Sequence, residues 1–158
     1  VLFGAEEMID SDPDHHHYGS RQFVRDMTST ERSQLVGMIS VDMVAYGTTF
    51  TIRTMNQGPQ ELRDMLLDFS AANGYEAKFL KDKGTYGWSD HEPFELAGYP
   101  AAWVEWRRDP NYHTSRDNWN HVKSKEALVE RAGEMIFRFL LDLTEADLQY
   151  VADARELD

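Results

Sequence analysis

The segment Leu35 to Val44 constrains the fold more than any other stretch of the chain. Val36, Met38, Ile39, Val41, Met43 and Val44 make a nearly continuous apolar run of strand length, the pattern of an interior strand covered on both faces. Asp42 interrupts it. A carboxylate in such a run is costly unless it is paired or ligated. It falls at the C-terminal end of the strand, where open α/β sheets place their chemistry.

A second pair of acids arrives in the same way. Val1-Leu2-Phe3 reads as the end of a buried strand, Gly4-Ala5 as a tight exit, and Glu6-Glu7 as adjacent carboxylates at the strand's C-terminal edge. Two acids side by side repel unless a metal, a cation or a shared proton offsets them, so the pair is either solvated or a site. Only two residues precede the visible core of this strand, which leads us to expect a piece of something longer. From Met8 to His17, the acids Asp10, Asp12 and Asp14 with Ser11, Pro13 and His15-His16-His17 read as an exposed loop, with an accessory metal contact as the alternative.

The remaining pattern alternates. Ser20 is placed to cap a helix bearing Phe23, Val24 and Met27. Thr49 to Thr54 alternates as a strand, and Asn56 to Pro59 turns into a helix carrying Leu62, Met65, Leu66 and Phe69, stopped at Asn73-Gly74. Ala77 to Leu80 and Pro100 to Trp106 are further strands, separated by a polar loop from Lys81 to Gly87. Ser124 opens the longest helix, whose buried face is Leu128, Val129, Ala132, Met135, Ile136, Phe139, Leu140 and Leu143. Thr144 and Asp147 have capping-box spacing for a closing helix. Strands alternating with helices predict one α/β domain over 1–158, a three-layer sandwich with a mostly parallel, mixed sheet.

Charge narrows the partners. With 28 acids against 16 bases, the net charge is −12, which argues against nucleic acid or an anionic membrane and suits cationic substrates or metal ions. The absence of cysteine excludes disulfides, thiolate zinc sites and cysteine nucleophiles, so a metal here must be held by His, Asp and Glu. No apolar run approaches membrane-spanning length, and no signal-peptide pattern is present.

The polar groups that fall just after strands are Glu6, Glu7, Asp42, Asp90, His91 and His113. Such a set suits a hydrolytic metal such as Zn²⁺, with Mn²⁺ or Co²⁺ as alternatives. Glu7 and Asp42 could then be oxygen ligands, His113 a nitrogen ligand, and Glu6 the general base. The other reading is scattered surface acids and a core histidine.

Four motifs sharpen the choice: F-G-A-E-E at 3 to 7, S-V-D-M-V at 40 to 44, W-S-D-H-E-P-F at 88 to 94 and Y-H-T-S-R-D-N-W at 112 to 119. In that order they resemble the C-terminal half of a zinc aminopeptidase of the co-catalytic, clan MH type, which includes bacterial leucyl aminopeptidases and aminopeptidase S. The resemblance runs from Leu2 to about Leu143. It implies a phosphorylase/hydrolase-like sandwich, two zinc ions and a peptide substrate. It also implies Glu6 as general base, Glu7 and His113 on one metal, Asp42 on the other, and Tyr112 as donor to the transition-state oxyanion. Asp90, His91, Phe94 and Asp117 would wall the pocket or support the ligand loops. An exported protein, secreted or periplasmic, is a further expectation from the resemblance.

The chain departs from that family pattern. The other metal histidine and the metal-bridging Asp lie upstream of the Glu-Glu strand, and no His or Asp precedes Glu6 here. The expectation is a fragment that lacks the early strands and the partner half of its domain, and is inactive alone. Glutaminyl cyclases, with one zinc, share the fold, the Glu-Glu pair and a longer insertion before a Tyr-Gly-Ser-Arg like that at 18 to 21. Their ligand histidine follows Trp, whereas Tyr112 stands here. A carboxypeptidase that binds a substrate carboxylate through Arg107 or Arg108, and a non-catalytic binding domain of the same fold, also remain open.

Overall fold

A computed structural model describes residues 1–10, 12 and 15–157. Ser11, Pro13 and Asp14, assigned above to the loop, lie outside the described residues, as does Asp158. The elements in order are α1 (Tyr18–Asp26), α2 (Ser29–Gln34), β1 (Met38–Val41), β2 (Thr49–Thr54), α3 (Glu61–Ala72), β3 (Lys78–Lys81), α4 (Glu92–Leu96), β4 (Ala101–Arg107), α5 (Trp119–Val122), α6 (Glu126–Asp142) and α7 (Glu145–Asp153).

The four strands lie in the order β1-β4-β2-β3. β1 pairs parallel with β4, and β2 parallel with β3, while the central β2 and β4 run antiparallel. The sheet is therefore mixed, as expected. Strand β4 divides the core by its alternation. Ala102 and Val104 face a cluster with Phe50, Ile52, Leu62, Leu66, Met135, Phe139 and Val151, contributed by β2, α3, α6 and α7. Ala101 faces the opposite side, with Val24, Met27, Phe94 and Tyr99 from α1, α4 and their flanks. These are the three layers of the sandwich.

Three expectations need correction. The apolar run at Leu35 forms a strand only over Met38–Val41, at one side of the four described strands, with Val41 half exposed. Its apolar pattern promised cover on both faces, but periodicity reads faces and not lateral neighbours. Val1-Leu2-Phe3 is not a strand: Leu2 is fully exposed, and only Phe3 packs, against Phe23 and Phe94. On α6, Val129 and Leu140 are exposed, and Lys125 rather than Ser124 holds the N-cap position.

Ser20 is likewise not a cap. Helix α1 starts at Tyr18, with His17 at its N-cap in the left-handed region. The N–H groups of His17, Tyr18 and Gly19 instead donate to the carbonyls of Glu6, Ala5 and Gly4 at 2.9, 3.0 and 3.1 Å. A backbone strip thus satisfies donors that a helix start leaves open. Gly19 permits this approach, because a Cβ there would lie 2.4 Å from the Gly4 carbonyl oxygen. The consequence for function is direct: the segment carrying Glu6 and Glu7 is bolted to the start of α1. At the other end of the chain, the expected capping box of Thr144 and Asp147 does open α7.

Candidate active site

Because β1 and β4 are parallel, their C-terminal ends share one edge of the sheet. Asp42 leaves β1 there, and the turn after β4 returns with Tyr112 and His113. The α1-anchored strip adds Glu6 and Glu7 from the side. Together with Met43, His16, His17, Asp10, Tyr86, Trp88 and Asp117, these residues line a cleft of about 650 Å³.

Glu7 Oε2 lies 2.9 Å from His113 Nε2, and both side chains are exposed to the cleft. The Tyr112 ring stacks on that of His113 at 3.8 Å between centroids. Glu6 Oε1 is 3.1 Å from Nε2 of the buried His17. Asp42 accepts a hydrogen bond from Ser89 Oγ at 3.1 Å, and Ser89 Oγ is 3.0 Å from Ser40 Oγ.

The backbone is strained around these groups. Ala5, His17, Met43 and His113 all adopt positive φ, between 51° and 55°. Non-glycine residues rarely do so, and four such residues at one cleft point to a site whose geometry outranks local comfort.

Electrostatics point the same way. Burial, reinforced by the charge of Glu6, pushes the Asp42 carboxyl up to about 6. Burial and the charges of Glu7, Glu6 and Asp42 push the Tyr112 hydroxyl up to about 12, so it keeps its proton. Burial opposes charge on His17, but Glu6 and Glu92 outweigh it and raise the imidazole to about 9. Acids crowd this cleft beyond what its histidines can neutralise, which is the charge signature of a cation site.

The sequence-named residues divide between two places. Glu6, Glu7, Asp42, Tyr112, His113 and Asp117 line the cleft. Asp90 and Phe94 do not. They line a neighbouring groove alongside β1, with Asp90 accepting from Ser20 Oγ at 2.5 Å and raised by burial. His91 is fully buried and turned onto Asp82 at 2.8 Å. Arg107 leans on Glu105 at 3.4 Å, outside the cleft.

Sequence reasoning missed two features. The histidines at 16 and 17, assigned to a solvated loop, are buried at 3% and 2% exposure and reach Glu92. Three histidines in a row gave the signal, but their partner lies 76 residues away. The second is a buried charge network in which Arg53 pairs with Asp82 at 2.5 Å and Glu105 at 3.0 Å while stacking over Trp103 at 4.4 Å.

Residues 1–140 match the model of Peptidase family M28, and the chain belongs to that family. It is 33% identical over 78 residues to a "Probable leucine aminopeptidase" of Arthroderma benhamiae, a match covering 48% of this chain and 21% of that protein. The zinc aminopeptidase BSAP from Bacillus subtilis superposes with a TM-score of 0.71 at 24% identity, over 89% of this chain and 34% of its own. A glutaminyl cyclase from Porphyromonas gingivalis gives 0.67 at 23% identity, over 87% of this chain and 51% of its own. These two likenesses show the fold. The chain spans about half or less of the length of each of these proteins.

Proposed function

We propose that this M28 chain is the C-terminal portion of the catalytic domain of a metal-dependent exopeptidase that removes N-terminal residues from peptides. The observation that carries the reading is the meeting of Glu7 and His113 at 2.9 Å beside Glu6, Asp42 and Tyr112 on one cleft. The donor set fits a divalent ion of the zinc class: carboxylate oxygens and an imidazole nitrogen, crowded with unneutralised negative charge. Glu7 and His113 would hold one ion and Asp42 a second, with the remaining ligands supplied by a segment ahead of Val1. Zn²⁺, with Mn²⁺ or Co²⁺ as alternatives, would supply Lewis acidity toward the attacking water and the scissile carbonyl.

The chain's own residues do the rest. Glu6 takes the proton of the attacking water and passes it to the leaving amine. His17 holds that carboxylate at 3.1 Å, so it faces the cleft in one orientation. Tyr112, whose hydroxyl stays protonated, donates to the carbonyl oxygen as negative charge develops there. The acidic walls attract the ammonium of a peptide N-terminus. Export from the cytoplasm belongs to the same reading.

The test uses the full-length protein on aminoacyl-nitroanilides, with and without chelator. Glu6→Gln should lower kcat by roughly 10²–10⁴-fold with metal content unchanged. Activity that survives this change refutes the general-base role. A glutaminyl-cyclase reading is favoured by the long segment between Glu7 and Tyr18. It predicts cyclisation of N-terminal Gln and no nitroanilide hydrolysis.

A further inference from the structure

Beside the cleft floor, three buried side chains converge that the proposed chemistry does not use as ligands: His16, His17 and Glu92. Their nearest ligand atoms lie within 4.8 Å of one another. His16 Nε2 is 3.2 Å from Glu92 Oε1, and His17 Nδ1 is 3.7 Å from Glu92 Oε2. Tetrahedral zinc, with bonds of about 2.0–2.1 Å, sets its ligand atoms roughly 3.3–3.4 Å apart, close to the two separations from Glu92; the imidazole rings stack at 3.9 Å between centroids and would turn apart to aim both nitrogens at one ion.

His17 supplies a second, independent observation. Its Nδ1 is buried without a hydrogen-bond partner, because 3.7 Å is too long for a hydrogen bond to Glu92. Its other nitrogen, Nε2, sits 3.1 Å from Glu6 Oε1. A metal-ligating histidine characteristically donates its far N–H to a carboxylate, which leaves the near nitrogen bare for the ion. The Glu6–His17 pair has that form, and an ion at Nδ1, which faces Glu92, would displace the proton that the two carboxylates otherwise hold on this imidazole.

Glu92 has capacity for an ion despite its neighbours. Arg21 occupies Oε1 at 2.5 Å, and the Gly87 N–H donates to Oε2 at 2.6 Å. Oε2, on the His17 side and away from the guanidinium, retains a free lone pair. Both histidines line the cleft, which offers an entry path and room for water. Glu6, Glu7, Asp10 and Asp42 on its walls offset the positive charge of Arg21.

The geometry points to a cation site of its own at His16 Nε2, His17 Nδ1 and the Glu92 carboxylate, suited to Zn²⁺ or another borderline divalent ion. The ion would fix Glu6 through His17, two bonds removed from the peptide chemistry. The alternative is an ion-paired cluster of the same residues that takes no metal.

The experiment titrates metal-free full-length protein with Zn²⁺ and counts bound equivalents by dialysis and elemental analysis. His16→Gln should weaken one equivalent at least tenfold and leave intact the equivalent that His113→Ala removes. A second measurement needs no variant. Cu²⁺ bound to the wild-type protein, read by pulsed EPR, should show a population with two imidazole nitrogens, whereas a site built on His113 shows fewer from this chain. Unchanged binding in a folded His16→Gln protein overturns the proposal, and so does the absence of a two-imidazole population. If only the His113-dependent equivalent is missing, the catalytic reading fails and this site stands.

Discussion

Replacing Asp42 with Asn tests the charge argument most directly, because it predicts that damage to the site stabilises the metal-free fold. The Asp42 carboxyl is raised from 3.8 to about 6, first by burial and then by Glu6. Each unit corresponds to about 1.4 kcal/mol, so the shift bounds the cost of its charge at roughly 3 kcal/mol. Asn keeps an oxygen that can accept from Ser89 Oγ, and the site retains some solvent, so we expect about 1–2 kcal/mol of net stabilisation. The direction with pH follows from linkage. The unfolded carboxyl ionises near 3.8 and the folded one near 6, so the penalty on wild type grows as pH rises through that window and is complete above it. Urea unfolding with chelator at about pH 7.5 should show Asp42→Asn more stable than wild type, and the gap should close by about pH 3.5. Saturating Zn²⁺ should reverse the order, since wild type gains binding energy that the variant cannot. A variant no more stable than wild type at the higher pH, or a gap that persists in acid, would refute the reasoning.

The buried network and the chain's far end give further expectations. Arg53→Leu removes the cation that Asp82 and Glu105 share, leaving Asp82 with His91 and Glu105 with the more distant, part-exposed Arg107, and should cost about 3 kcal/mol in urea unfolding; a loss under about 1 kcal/mol would show that those partners or water already compensate. Gly98 has φ +80°, and a Cβ there would meet the Glu156 carbonyl oxygen at 2.1 Å. Gly98→Ala should therefore lower stability by more than about 1 kcal/mol and loosen the residues after α7, read as faster amide exchange near Glu156.

What the sequence made legible follows the reach of its patterns. The alternation of Thr49 to Thr54 and the apolar stripe of α3 are local, and both became the expected elements. So did the Thr144–Asp147 box, since a cap is decided within four residues. The cleft was legible in part because a strand's end is also a local property. Asp42 and His113 each follow a recognisable strand, and parallel pairing of β1 with β4 brings them to one edge. Lateral order in the sheet is a different matter. Nothing in the run around Ile39 tells which strands lie beside it, and among the described strands β1 pairs with β4 alone.

Buried charge was the least legible feature, for a physical reason that also bears on function. His, Arg, Asp and Glu read as surface residues because isolated burial is prohibitive. Their burial becomes tolerable only through partners far along the chain, as with Arg53 and Glu105, or His17 and Glu92. Local pattern therefore assigns such residues to solvent by default. Two such clusters flank this cleft from behind, one around Arg53 and one around His17, and both hold residues in single orientations against walls that carry Glu6 and Asp42. A fold that needed only stability would do better with apolar side chains at these positions. Charge buried next to strained backbone and crowded acids is better explained by a site that must hold carboxylates still, and that requirement is shared by an ion-binding catalyst and by the cation site at His16, His17 and Glu92.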